Sequence, residues 1–94
     1  MNSDTNVRYH VRFIGRVQGV GFRMTCISLA KNLPVHGTVR NEHDGSVLLD
    51  VEGEPVEVDR LLKRIEREMV DNIRETEIDE RPPSKQTGGL RIRY

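Results

Sequence analysis

Twice along this chain a period-two alternation gives way to an apolar stripe at helical spacing. That repeated strand-to-helix switch constrains the fold more than any other feature of the sequence. Val7, Tyr9, Val11 and Phe13 alternate with Arg8, His10 and Arg12, the mark of a strand with one buried face. After the glycine-rich run Gly15 to Gly21, residues Phe22, Cys26, Leu29, Ala30 and Leu33 recur at helical spacing, predicting a helix from about Phe22 to Asn32 that Pro34 ends. Val35, Gly37 and Val39 then alternate as a second strand, Asp44-Gly45 signals a hairpin turn, and Val47, Leu49 and Val51 alternate as a third. Gly53 and Pro55 lead into the second stripe, Val58, Leu61, Leu62, Ile65 and Met69, whose opposite face is charged.

Ile73 to Arg81 reads as a polar strand. Pro82-Pro83 opens a linker closing at Gly88-Gly89, and Leu90, Ile92 and Tyr94 alternate as a short edge strand. The order is β-α-β-β-α-β with one additional short C-terminal strand, an α+β chain of the split β-α-β kind, with two helices on one face of an antiparallel sheet. If the third strand lies between the first two and is antiparallel to both, strands one and two run parallel and their C-terminal ends share a sheet edge. Gly15 to Gly21 and Asn41 lie at those ends. Parity then turns Asn41 to the face of Val35, Gly37 and Val39, under the helices and near the start of the first.

At 94 residues the chain is expected to be one domain, 1–94, with residues 1–6 a flexible tail. Fifteen basic residues balance fifteen acidic ones, which excludes the broad basic surface used on nucleic acids and anionic membranes, so any anion site is local. Cys26 is the single cysteine and has no partner for an internal disulfide or a thiolate metal site. With a polar start and no long apolar run, a cytoplasmic monomer is expected, without membrane or nucleic-acid partners.

The run Gly15-Arg16-Val17-Gln18-Gly19-Val20-Gly21-Phe22-Arg23 leads straight into a helix start, where backbone N–H groups and the helix dipole favour a negative ligand and Arg23 adds a charge. It matches neither the dinucleotide fingerprint nor the Walker A loop. Taken alone, the glycines serve equally well as a tight turn. Asn41 alone reads more readily as a turn residue than as a group that holds a water.

The two segments together are more specific. Gly15 to Arg23 resembles the first acylphosphatase signature, and Gly37-Thr38-Val39-Arg40-Asn41 with Asp44-Gly45 resembles the second, at the expected separation. The resemblance covers nearly the whole chain and implies a ferredoxin-like α/β sandwich. It also implies hydrolysis of acyl phosphates to carboxylate and phosphate without metal or other cofactor. By the same resemblance the substrate phosphate lies on the loop backbone of Gln18, Gly19, Val20, Gly21, Phe22 and Arg23, with Arg23 binding it and Asn41 positioning water. Thr38 stands where the family commonly has tryptophan, and Leu33-Pro34-Val35 replaces a more common glycine-containing turn. Neither departure touches Arg23 or Asn41, and both bear on packing and substrate access.

Other residues read as structural. His43 is a loop residue, Cys26 a core position, and the acidic run from Glu66 to Glu80 a solvated face without calcium-loop order. Arg16 and Arg40 are expected beside the site, raising its positive potential.

Overall fold

The structure is a computed structural model describing residues 5–94. Of the tail expected over residues 1–6, residues 1–4 lie outside the described residues. The elements run β1 (Val7–Gly15), α1 (Phe22–Ala30), β2 (Val35–Asn41), β3 (Val47–Gly53), α2 (Pro55–Glu68), β4 (Ile73–Arg81) and β5 (Leu90–Ile92). The first helix stops at Ala30, short of the expected Asn32. Lys31 N–H donates to Ser28 O (3.3 Å) and Leu33 N–H to Ala30 O (3.0 Å), a tightened last turn before Pro34.

The strand order is β4-β1-β3-β2-β5, so β3 separates β1 and β2 and is antiparallel to both. One expectation needs correcting. The sheet is mixed and not wholly antiparallel, because β5 pairs parallel with β2, Gly37 opposite Leu90 and Val39 opposite Ile92. The cause is the linker, which carries the chain from the β4 edge across the helix-free face to the opposite edge, where it enters in the direction of β2. Three strands, β1, β2 and β5, therefore end at the same edge.

Val11, Phe13, Val35, Val39, Val47, Leu49 and Val51 from the sheet are buried against Phe22, Cys26 and Ala30 of α1 and Val58, Leu61 and Ile65 of α2. Burial of this kind contributes about 1.5–3 kcal/mol per large side chain. The Phe13 and Phe22 rings lie 5.1 Å apart, tilted by 51°. That contact joins the end of β1 to the first residue of α1 and so anchors both ends of the intervening loop.

The linker is fastened by Glu52 on β3, a carboxylate only 1% exposed. Ser84, Lys85 and Gln86 donate backbone N–H groups to it at 2.9, 2.8 and 3.3 Å, and the Ser84 hydroxyl and Gln86 side-chain amide donate as well. Burial opposes ionisation, but these donors, led by Lys85 N–H, outweigh it and hold the Glu52 carboxyl below the usual range. The folded-state value is depressed, so this stabilisation is present above about pH 4.3, the ordinary glutamate value, and fades as pH falls through the lower folded one. Glu52→Gln should cost about 1–3 kcal/mol at neutral pH, because the amide cannot accept the full set of donors. Denaturant titrations at several pH values should show that difference shrinking in acid; a constant difference would contradict the assignment. Among the described residues no helix is long and apolar enough to cross a membrane.

Candidate active site

The loop between β1 and α1 is held from three directions. Val17 is buried within it at 1% exposure. Its start is tied to the turn after α2, where Arg16 N–H donates to Asn72 O (2.9 Å) and the Asn72 side chain donates back to Arg16 O (3.0 Å). Its middle is tied to the β2–β3 hairpin by the Gln18 side-chain amide, which donates to Glu42 O and Ser46 O, both at 2.8 Å. The hairpin is itself closed by Asp44, which accepts from Ser46 N–H (2.9 Å) and the Ser46 hydroxyl (2.6 Å). The Ser46 hydroxyl and N–H hold the Asp44 carboxyl below its ordinary value. Loop and hairpin thus form one braced unit, the condition for donors that are positioned before a ligand arrives.

Within the loop, Gly19 and Gly21 have φ values of 77° and 76°, in the left-handed region that glycine adopts without strain. Gly21 is the N-cap of α1, and no side chain caps the helix. The first helical bond is Thr25 N–H donating to Gly21 O (3.0 Å), so the N–H groups of Phe22, Arg23 and Met24 precede it and have no intrahelical acceptor. No acidic residue occupies this first turn. The uncapped N-terminus and its dipole make the local field positive.

A cavity of about 140 Å³ opens at this point, lined by Val17, Gly19, Gly21, Phe22, Arg23, Met24, Asn41, Ile92 and Tyr94. It brings together Gly19, Gly21, Phe22 and Arg23 from the loop and Asn41 from the end of β2, as the topology predicts. Of the other two loop residues, the Gln18 side chain braces the hairpin and Val20 is exposed, and neither is among the residues that line the cavity. Asn41 is exposed and its side chain bonds to no described residue, leaving donor and acceptor free. Arg23 has no carboxylate partner among the described residues, and its guanidinium carbon sits 5.1 Å from the Tyr94 ring centroid. Among the described residues no Asp, Glu, His or Cys lines the cavity, so of these Arg23 is the only charged side chain on its wall.

Arg16 and Arg40, expected beside the site, do not line the cavity. Arg40 alternates with Val39 and Asn41 and so faces the helix-free side, where its Nε donates to Glu42 Oε2 at 2.7 Å. Arg16 is exposed beyond the lining. His43 is exposed on the hairpin loop, and burial pushes the Cys26 thiol up to about 12, unsuited to a nucleophile. Sequence reasoning missed Met24, Ile92 and Tyr94. The last two follow once β5 is known to run parallel to β2, because continuing the register past Val39 and Ile92 sets Tyr94 beside Asn41.

Comparisons with known proteins bear on the family and the fold. The family description "Acylphosphatase" matches residues 9–92. An acylphosphatase of Thermococcus kodakarensis is 52% identical over 56 residues, 60% of this chain and 62% of that protein. One from Salinibacter ruber is 45% identical over 65 residues, 69% of this chain and 68% of that protein. The matched segment thus spans less than two thirds of the Thermococcus protein. In fold, the chain is similar to the crystal structure of acylphosphatase from Bacillus subtilis, with a TM-score of 0.81 at 24% identity over 94% of this chain and 99% of that one. It is also similar to an acylphosphatase from Coxiella burnetii, with a TM-score of 0.80 at 23% identity over 99% and 98% of the two chains. With the family match running through both signature segments and from β1 to β5, the chain belongs to the acylphosphatase family.

Proposed function

We propose that this protein hydrolyses acyl phosphates, the mixed anhydrides of a carboxylic acid and phosphate, without a metal ion. What supports the reading is the cavity of about 140 Å³ whose wall combines the uncapped start of α1, the unpaired Arg23 guanidinium and the free Asn41 amide. The phosphoryl group lies on the loop backbone from Gln18 to Arg23, with Arg23 bonding its oxygens through a charge-assisted and bidentate contact. Asn41 accepts a hydrogen bond from the attacking water and orients its oxygen toward phosphorus.

The new bond forms between the water oxygen and phosphorus. The phosphorus–oxygen bond to the acyl group breaks, and the carboxylate leaves with the electron pair. A carboxylate is a good leaving group and needs no general acid, and among the described residues the cavity wall has no carboxylate, imidazole or thiol side chain to serve as base. The proton lost by water therefore goes to a phosphoryl oxygen. What the protein supplies is position and positive charge, which suffice for a loose phosphoryl-transfer transition state.

The test is a chelator-treated assay with acetyl phosphate, benzoyl phosphate and an aryl phosphate ester. Metal-independent hydrolysis of the two acyl phosphates, with the ester cleaved far more slowly, is the expected outcome. Turnover that disappears on chelation, or that is confined to the ester, would sink the reading.

A further inference from the structure

The cavity is not uniformly polar. Among the described residues six large hydrophobic side chains are exposed, and two of them, Met24 at 61% and Tyr94 at 100%, lie on the cavity wall. A third, Val20, projects from the loop between Gly19 and Gly21, whereas Val56, Val70 and Ile78 are distributed over α2, the turn after it and β4. Ile92, partly buried, continues the apolar surface from Met24 and Tyr94 toward the core. Large apolar groups gathered at the mouth of a charged pocket mark where a ligand presents apolar surface. The remaining wall, Gly19, Gly21, Arg23 and Asn41, suits only the phosphate end.

We infer that Met24, Ile92 and Tyr94 form the subsite for the acyl portion, and that the substrate class is acyl phosphates with an apolar or aromatic acyl group. Small acyl groups are disfavoured. The inference rests on the acyl phosphate reading above. Tyr94 has two contacts to offer, since its ring meets the Arg23 guanidinium at 5.1 Å and the rest of the residue is open to solvent. An aromatic acyl group packed on that ring lies beside the Arg23 guanidinium, so the phosphate and acyl ends are recognised by adjoining side chains. Met24, unbranched and polarizable, adapts to acyl groups of different shape.

Non-hydrolysable phosphonates separate the two ends. Calorimetry on the wild type should show phenylphosphonate binding about tenfold more tightly than methylphosphonate, the upper range for one aromatic contact. Tyr94→Ala combined with Met24→Ala should reduce that ratio to about two or less, and Tyr94→Phe should retain it. Both residues are exposed, so these variants should fold, which circular dichroism checks. A wild type that hydrolyses acetyl phosphate yet binds both phosphonates equally overturns this inference alone, as does a ratio unchanged in the double variant. A wild type that binds neither phosphonate overturns the phosphate-site reading and this one with it.

Discussion

Replacing Arg23 by Ala should lower kcat/KM for acetyl phosphate by about 100- to 1,000-fold, the range for removing one charge-stabilising donor from a preorganised site. Inhibition by inorganic phosphate should weaken in the same variant, because among the described residues Arg23 is the only charged side chain on the cavity wall and, in the proposed reading, would meet the phosphate in ground and transition states alike. Arg23→Lys should restore little. A lysine keeps the charge but not the planar fork, and its ammonium does not stack on Tyr94 as the guanidinium does. The fold should survive either change, since among the described residues Arg23 has no ion pair and its guanidinium lies against the exposed Tyr94 ring. Steady-state kinetics with phosphate as inhibitor checks the pattern. An Arg23→Ala protein with unchanged phosphate inhibition would contradict the role assigned to it.

Asn41→Ala should separate turnover from binding. The amide has no bond to any described residue and ends an otherwise buried strand face, so its removal leaves core and loop untouched. If it orients the attacking water, kcat should fall by about 100-fold, the cost of misplacing a reacting atom by about 1 Å. The phosphate inhibition constant should move by less than about twofold. Equal losses of turnover and phosphate affinity in both variants would mean that binding and water positioning are not divided between Arg23 and Asn41.

Much of this site was legible in the sequence, for a topological reason. Two parallel strands flanking a shared antiparallel neighbour must end at one edge, and that alone brings Asn41 to the glycine loop before any side chain is placed. The edge partner of β5 was not legible. A three-residue strand carries too little pattern to choose between the two open edges of a sheet, and the choice is made by the linker contacts to Glu52, which are 32 to 34 residues apart in sequence. With that choice missing, Ile92 and Tyr94 stayed outside the expected site.

Arg40 teaches the opposite lesson. Its parity was readable, since a residue between Val39 and Asn41 must point to the other face, and sequence proximity to the site misleads. For Gln18, nothing in the chain distinguishes a loop residue that offers its backbone from one whose side chain braces a neighbouring turn. Only the hairpin's position beside the loop shows that it does the latter.

In the reading proposed above, water attacks phosphorus while the polar wall of the cavity holds the phosphoryl group. Turnover of acetyl phosphate in water labelled with heavy oxygen tests it most directly, with mass spectrometry of both products after a single cycle. The label should appear in inorganic phosphate and be absent from acetate. Label in the acetate carboxylate would mean attack at the carbonyl carbon, a reaction for which Arg23 and Asn41 have no assigned role, and would overturn the claim.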